Sequence, residues 1–367
     1  VLNFYNVDAL LKKPFQRALM NWFKKNRRDL PWRHTTDPYA IWVSEMMLQQ
    51  TQVDQVVPYY LSFMKRFPTL QHLSDAPLDD VLKIWEGLGY YKRAVFLHKS
   101  AGIIVREYGG QIPADYRILR SLPGFGEYTA GAVLSLAYHQ KRPAVDGNAF
   151  RVMARIIKFK KPINRSANKR TIINIITALL PDKDVSSFNQ GLMELGALIC
   201  KPVRPLCSKC PLKRYCQAYN DLPDAALLPV KPKRKPIPFF EASIGIINRN
   251  KKILVLQRPA GGLLGGLWEF PGGKMLANET PEKACIREIK EETGITVRVI
   301  RKLMVLKHAY SHFKVKLHVY LCDYQSGKMR IKNHENGRWI RPAELHHVAV
   351  PGANRKIISY YFKQERP

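Results

Sequence analysis

The sequence predicts a multidomain protein, an all-α domain followed by an α+β domain. Three observations carry this reading. Up to about residue 220, apolar residues recur at three- and four-residue steps, as in FQRALMNWFKK, DDVLKIWEGL and FNQGLMELGALI, the spacing of helices that bury one face. From Phe239 onward the segments EASIGIINR, KKILVLQR, VRVIRKLMVL and VKLHVYLCDY are apolar and β-branched, which is strand composition. Between the two regions, residues 221–238 hold five prolines and the basic run KPKRK. Such a stretch reads as an extended linker, either a spacer or a strap for phosphates. The expected domains are therefore 1–220 and 239–367.

Composition narrows the function. Among 367 residues, 46% are apolar, enough for real cores, but 60 Lys and Arg face 29 Asp and Glu for a formal charge of +31. A field of that sign draws polyanions, and nucleic acid is the expected partner. A membrane surface is disfavoured, because no long basic amphipathic helix, lipidation signal or unbroken apolar run of about 18 residues is present. Six cysteines, four of them clustered, fit metal ligation in a reducing compartment better than disulfides. Cys285 and Cys322 stand apart and are expected to be buried. The N-terminus lacks a basic-then-apolar signal pattern. These features predict a soluble cytoplasmic protein; the expected setting is a bacterial cytosol or nucleoid and the expected state a monomer.

Taken in order, Pro and Gly cut the first region into many short helices. LPGFGEYTAGAVLSLAY, residues 122–138, sets Gly124 and Gly126 in a tight hairpin ahead of a small-residue helix. Both can take positive φ and turn backbone N–H groups toward a phosphate. Asp146 follows in AVDGNAFRV; taken alone it would read as a helix cap or turn residue. Cys200, Cys207, Cys210 and Cys216 close the region with spacing C-x6-C-x2-C-x5-C. Thiolates this close select an iron–sulfur cluster or zinc, though the spacing is not the repeated C-x2-C of a zinc ribbon. Lys201, Arg204, Lys209, Lys213 and Arg214 lie among them and suit phosphate contact. In the second region one helix is bounded by Thr280 as N-cap, Pro281 at its first position and Gly294 beyond its end. Glu288, Glu291 and Glu292 share a face of that helix. Three carboxylates so placed repel unless a hard cation such as Mg²⁺ sits among them.

The hairpin, Asp146 and the cysteine loop, in that order, resemble the endonuclease III superfamily of helix-hairpin-helix glycosylases. LPWR at 30–33, WVSEMMLQQTQV at 42–53 and EGLGYYKRA at 86–94 resemble the adenine DNA glycosylase (MutY-type) family within it. The resemblance implies an all-α glycosylase domain with a 4Fe–4S cluster on the four cysteines. It also implies base flipping from duplex DNA that carries adenine opposite 8-oxoguanine or guanine. Glu45 would protonate a purine ring nitrogen, and Asp146 would balance the sugar cation as stabiliser or transient nucleophile. Gln50 and Tyr90 would wedge into the base stack. Glu194 would be an acid near the flipped base, and Arg33, Trp32 and Arg93 would give supporting contacts. Tyr128 would join the catalytic residues by supporting the sugar or the attacking water; it stands where glycosylase/lyases carry a lysine nucleophile, and a phenol forms no Schiff base, so a monofunctional enzyme is expected.

From Gly273 the chain reads G-x5-E-x7-R-E-I-x-E-E-x-G-I, a complete Nudix box with Glu279 and Arg287. The family's MutT-like domain reads 8-oxoguanine and typically has a degraded box, so the intact acidic face reads either as a second, hydrolytic activity with Mg²⁺ at Glu288, Glu291 and Glu292 or as a box kept as scaffold with an exposed acidic helix. HAYSHFKVKL resembles the family's Phe-Ser-His loop, with Tyr310, Ser311 and His312 as 8-oxoguanine contacts. The alternatives are an endonuclease III-type glycosylase/lyase, and a nucleotide-pool Nudix hydrolase with a DNA-docking domain.

Overall fold

The structure, a computed structural model, describes residues 9–230, 236–310 and 312–364. The KPKRK run and Ser311 lie outside the described residues. By its contacts the chain divides into two compact units, residues 1–64 with 103–234, and residues 65–102 with 235–367. In chain order the helices of the first 230 residues are α1 (Ala9–Asn26), α2 (Pro38–Leu48), α3 (Val53–Arg66), α4 (Leu70–Asp75), α5 (Leu78–Ile84), α6 (Lys92–Tyr108), α7 (Tyr116–Ser121), α8 (Glu127–Leu136), α9 (Gly147–Ile156), α10 (Ser166–Leu179), α11 (Val185–Leu198) and α12 (Gln217–Asp221). No helix among the described residues is long and apolar enough to cross a membrane.

In the first unit, α1, α9 and α11 share a core built on Phe15, Leu19, Val152, Met153, Phe188 and Leu192. Burying each such side chain is worth about 1.5–3 kcal/mol. The start of α2 is fixed locally: the Asp37 carboxylate accepts from the N–H groups of Tyr39 (3.0 Å) and Ala40 (3.2 Å), and Pro38 fits the first turn. Every residue from Tyr39 to Met47 is buried, so α2 runs through the unit's interior. Trp42 stacks on Phe125 of the hairpin, ring centroids 4.7 Å apart.

That hairpin joins α7 to α8. Gly124 has the positive φ expected of it, +81°. Gly126 does not: at φ −69° and ψ 173° it is the extended N-cap of α8. An added Cβ there would meet nothing within 4 Å, so neither the backbone nor the space calls for a glycine. Gly131 matters for a different reason, since an added Cβ would lie 2.1 Å from the Pro143 carbonyl oxygen. This close approach lets the segment leading to Asp146 press against α8. The proline-rich stretch begins packed, with Ala225 and Leu228 buried in the core.

The second unit contains a sheet of β1 (Phe239–Arg249), β2 (Lys252–Gln257), β3 (Trp268–Glu269), β4 (Gly272–Lys274), β5 (Thr296–Ala309), β6 (Lys314–Ser326) and β7 (Asn336–Ile340). Its main order is β3-β2-β1-β6-β5, with β4 on β1 and β7 on β2. β1 and β6 are parallel and the other pairs antiparallel. α13 (Pro281–Thr293) packs Cys285 and Ile289 onto one face, and α14 (Gly352–Gln364) packs Ile357 and Tyr361 onto the other. α13 has the expected ends: Thr280 caps it, Pro281 opens it, and Gly294 closes it at φ +72°. An added Cβ at Gly245 would lie 2.6 Å from Ile289 Cδ1, so the helix sits hard against β1.

Candidate active site

A cleft of about 1280 Å³ opens in the first unit, and Glu45, Tyr128, Asp146 and Glu194 all line it. The two carboxylates named from sequence therefore share one cavity large enough for a nucleobase. Glu45 comes from α2 and is only 4% exposed. Burial, opposed by the Tyr128 hydrogen bond and aided by the charge of Asp146, raises its pKa to about 7. The Tyr128 hydroxyl donates to Glu45 Oε2. Burial also drives the phenol well above its ordinary value, so it stays a donor. Asp146 is the N-cap of α9. Its Oδ1 accepts from Ala149 N–H (2.7 Å) and its Oδ2 from Asn148 Nδ2 (2.7 Å). Burial raises its pKa against those bonds and the charge of Arg151. One carboxyl is poised to hold a proton near neutral pH, and the other is held by donors aimed at its anionic form.

Glu194, on α11, is 1% exposed. Its Oε1 accepts from Arg28 N–H (2.9 Å) and Nε (3.0 Å), and its Oε2 from Arg28 Nη2 (2.8 Å) and Arg33 Nη2 (2.8 Å). Burial pulls its pKa up, but the bonds from Arg28 and Arg33 together hold it at about 2. The expected acid is thus a permanent anion, able to accept a hydrogen bond but not to give a proton. Arg28 escaped sequence reasoning; its neighbours in RRDLPWR gave no sign that it folds back to a residue 166 positions away.

Behind Asp146 lies a relay that the sequence did not disclose. Arg151 donates from Nη2 to Asn148 Oδ1 (2.7 Å) and from Nε to the Cys200 carbonyl (2.8 Å). The chain of contacts runs Cys200, Arg151, Asn148, Asp146. Cys200, Cys207, Cys210 and Cys216 line one small cavity beside Arg155. No group of three or more His, Cys, Asp or Glu among the described residues is disposed to hold a metal as it stands. The chemistry of the donor set still fits a cluster. The fully buried Arg155 guanidinium lies 3.2 Å from Cys200 Sγ and otherwise bonds carbonyls, those of Lys201, Pro202 and Leu228. A buried cation is best matched by anionic sulfur.

Two family patterns match the chain: the HhH-GPD superfamily base excision DNA repair proteins over residues 43–172, and the NUDIX domain over residues 242–360. The human adenine DNA glycosylase is 33% identical over 96% of this chain and 74% of its own length. The chain belongs to the adenine DNA glycosylase family. The Buchnera aphidicola (strain APS) member is 32% identical over 96% of this chain and 99% of its own. Among solved structures, a thermostable thymine-DNA glycosylase superposes with TM-score 0.53 at 32% identity, over 58% of this chain and 99% of that one. A trapped endonuclease III–DNA covalent intermediate, at TM-score 0.51 and 20% identity, covers 58% of this chain and 98% of that one, and shares the fold.

The remaining residues fall into place unevenly for a member of this family. Gln50 is exposed just past α2 at φ +57°, and Tyr90 has φ +47°. Two non-glycine residues held in the left-handed region mark strained turns of the kind found at functional sites. Gln50 belongs to the first unit and Tyr90 to the second. Tyr310 is packed between His308 (4.5 Å) and Phe313 (4.6 Å), and His312 is exposed. A guanidinium crosses the acidic face of α13. Arg287 binds Glu279 through Nε (2.8 Å) and Nη2 (2.9 Å), and its Nη1 reaches Glu288 (2.9 Å) and Glu291 (3.1 Å). Glu292 is half-buried and accepts from Gly272 N–H at 2.9 Å; its partial burial raises its pKa. A guanidinium and a backbone amide thus offset part of the repulsion among these carboxylates.

Proposed function

We propose that this chain is a monofunctional adenine DNA glycosylase of base excision repair, acting on adenine opposite 8-oxoguanine or guanine. The observation that carries the proposal is a carboxyl with a pKa near 7 sharing a cleft with a carboxylate fixed by two hydrogen bonds. Tyr128 occupies one oxygen of Glu45, which leaves Oε1 to carry the proton. Glu45 gives that proton to a ring nitrogen of the flipped adenine. The bond from C1′ to the base breaks with its electron pair passing to the purine. Asp146 balances the sugar cation until water adds at C1′ and returns a proton to Glu45. Gln50 and Tyr90 hold the stack open, and Gly124 and Gly126 present hairpin backbone to a phosphate. Glu194, fixed by Arg28 and Arg33, accepts from the exocyclic amine. Cys200, Cys207, Cys210 and Cys216 would hold a 4Fe–4S cluster, which supplies structural pinning of a basic loop.

The second unit's sheet domain is assigned to recognition of the oxidised base through Tyr310, Ser311 and His312. A Mg²⁺-dependent hydrolysis at Glu288, Glu291 and Glu292 would first have to displace Arg287, so no such step is assigned. Pyrophosphate release from 8-oxo-dGTP by the full chain in Mg²⁺ would overturn that. The test of the main proposal is single-turnover excision from duplexes with adenine opposite 8-oxoguanine, guanine, cytosine and thymine, with a borohydride trap alongside. Fast excision opposite the first two and no trapped adduct are expected. Robust trapping would favour a lyase instead.

A further inference from the structure

The turn that presents Tyr90 is built by the same unit that carries the sheet. α5 places Asp79 and Lys83 one helical turn apart, and Glu86 follows on the same side. Each is tied to the body of that unit. The Asp79 carboxylate accepts from Trp268 Nε1 (3.2 Å) and Gln257 Nε2 (3.2 Å). Lys83 Nζ donates to the Val348 carbonyl (3.2 Å). Glu86 Oε1 accepts from Val350 N–H (3.1 Å), and its Oε2 from Lys83 Nζ (2.9 Å). Immediately after Glu86 the backbone turns through Gly87 (φ +105°), Gly89 (φ +77°) and Tyr90 (φ +47°). Trp85 Nε1 and Arg93 Nη2 both donate to the Gly89 carbonyl, at 3.1 and 3.0 Å. The Arg93 guanidinium lies over the rings of both Trp85 (5.3 Å) and Tyr90 (5.4 Å). A tyrosine held at positive φ persists only where its surroundings over-determine it, and the anchored end of this turn is Glu86.

We infer that Glu86 is a positioning residue for adenine excision. By gripping Val350 N–H with its side chain while its backbone opens the turn, it makes the sheet-bearing unit hold Tyr90 in the conformation that enters the DNA stack. The inference rests on the wedge role proposed for Tyr90. Glu86 itself touches no substrate.

The test uses the full chain and a duplex with adenine opposite 8-oxoguanine. A 2-aminopurine at the neighbouring step fluoresces when unstacked. Glu86→Ala should lose most of the fluorescence rise on binding and slow single-turnover excision about tenfold, the scale of one lost charge-assisted hydrogen bond. Glu86→Gln keeps an acceptor for Val350 N–H and should recover both. Glu86→Ala combined with Tyr90→Leu should be no slower than Tyr90→Leu alone. If Glu86→Ala fails to fold, Glu86→Asp, one methylene too short to reach, carries the same expectation. A native fluorescence rise in Glu86→Ala or Glu86→Asp, even with a lowered melting temperature, would overturn the inference, as would multiplying effects in the double variant. A Tyr90→Leu variant with native unstacking and rate would instead sink the wedge role.

Discussion

Two buried glutamates in one cleft end up at opposite extremes of proton affinity. Glu45 meets apolar α2 and one phenol, and Glu194 meets two arginines. The difference is testable by pH. In the proposed mechanism Glu45 acts in its protonated form, so single-turnover excision should hold below its pKa of about 7 and fall as pH rises through that value. Glu45→Gln should cut excision by about a thousandfold. It should also stabilise the fold at pH 8. A carboxyl whose folded pKa is raised keeps its proton while the unfolded chain loses it, so stability drains away as pH rises from 4.5 to about 7. A melting temperature at pH 8 no higher than the parent's would contradict the raised pKa. Glu194 runs the other way. Its pairing contributes stability above the ordinary carboxylate value of 4.5, lost as pH falls toward its folded pKa of about 2. Glu194→Ala leaves two arginines without their anion and should cost about 3 kcal/mol, read by denaturant unfolding.

At the scale of elements, α9 carries Asp146, the aspartate proposed to balance the sugar cation, as its own cap, so the residue that reads locally as a helix start is also the proposed anion. Arg151 steadies Asn148, and Asn148 steadies Asp146. Arg151→Ala should therefore slow excision about tenfold or more while moving duplex affinity much less, a split that single-turnover rates and binding isotherms resolve. α8 tolerates no bulk where Pro143 crosses it: Gly131→Ala should lower stability by about 2 kcal/mol or more, visible as an earlier thermal transition. Element type was legible in sequence, since period and punctuation set the helices and strands. Some roles were not. The two hairpin glycines look equivalent in LPGFG, yet only Gly124 adopts positive φ, because Gly126 falls where the next helix needs an extended cap. The acidic face of α13 was legible as a face, but its neutralisation by Arg287 depends on how a long side chain curls back over its own helix.

For the molecule as a whole, the excess of 31 positive charges sets the physics of association. Duplex affinity should fall at least tenfold between about 50 and 200 mM salt. A salt-independent dissociation constant would show that phosphate contact is not the source of binding. The unit boundary was less legible than the charge. Residues 65–102 read as more of the helical region, yet by contacts they belong with the sheet. Asp79, Lys83 and Glu86 look like an ordinary charged helix stripe until their partners at Trp268, Val348 and Val350 are seen.

Composition and local spacing disclosed the chemical inventory: four thiols at ligand spacing, a hairpin, Glu45 and Asp146 in family order, a phenol where a lyase needs an amine, and a large excess of basic residues. These are local patterns or counts, and the chain cannot hide them. Folding in three dimensions set which of those groups share a cavity, which carboxyl keeps its proton and which is locked as an anion. Proton affinity depends on burial and on charges brought close through space, and those come from residues as far apart as Arg28 and Glu194, whose meeting no spacing rule encodes.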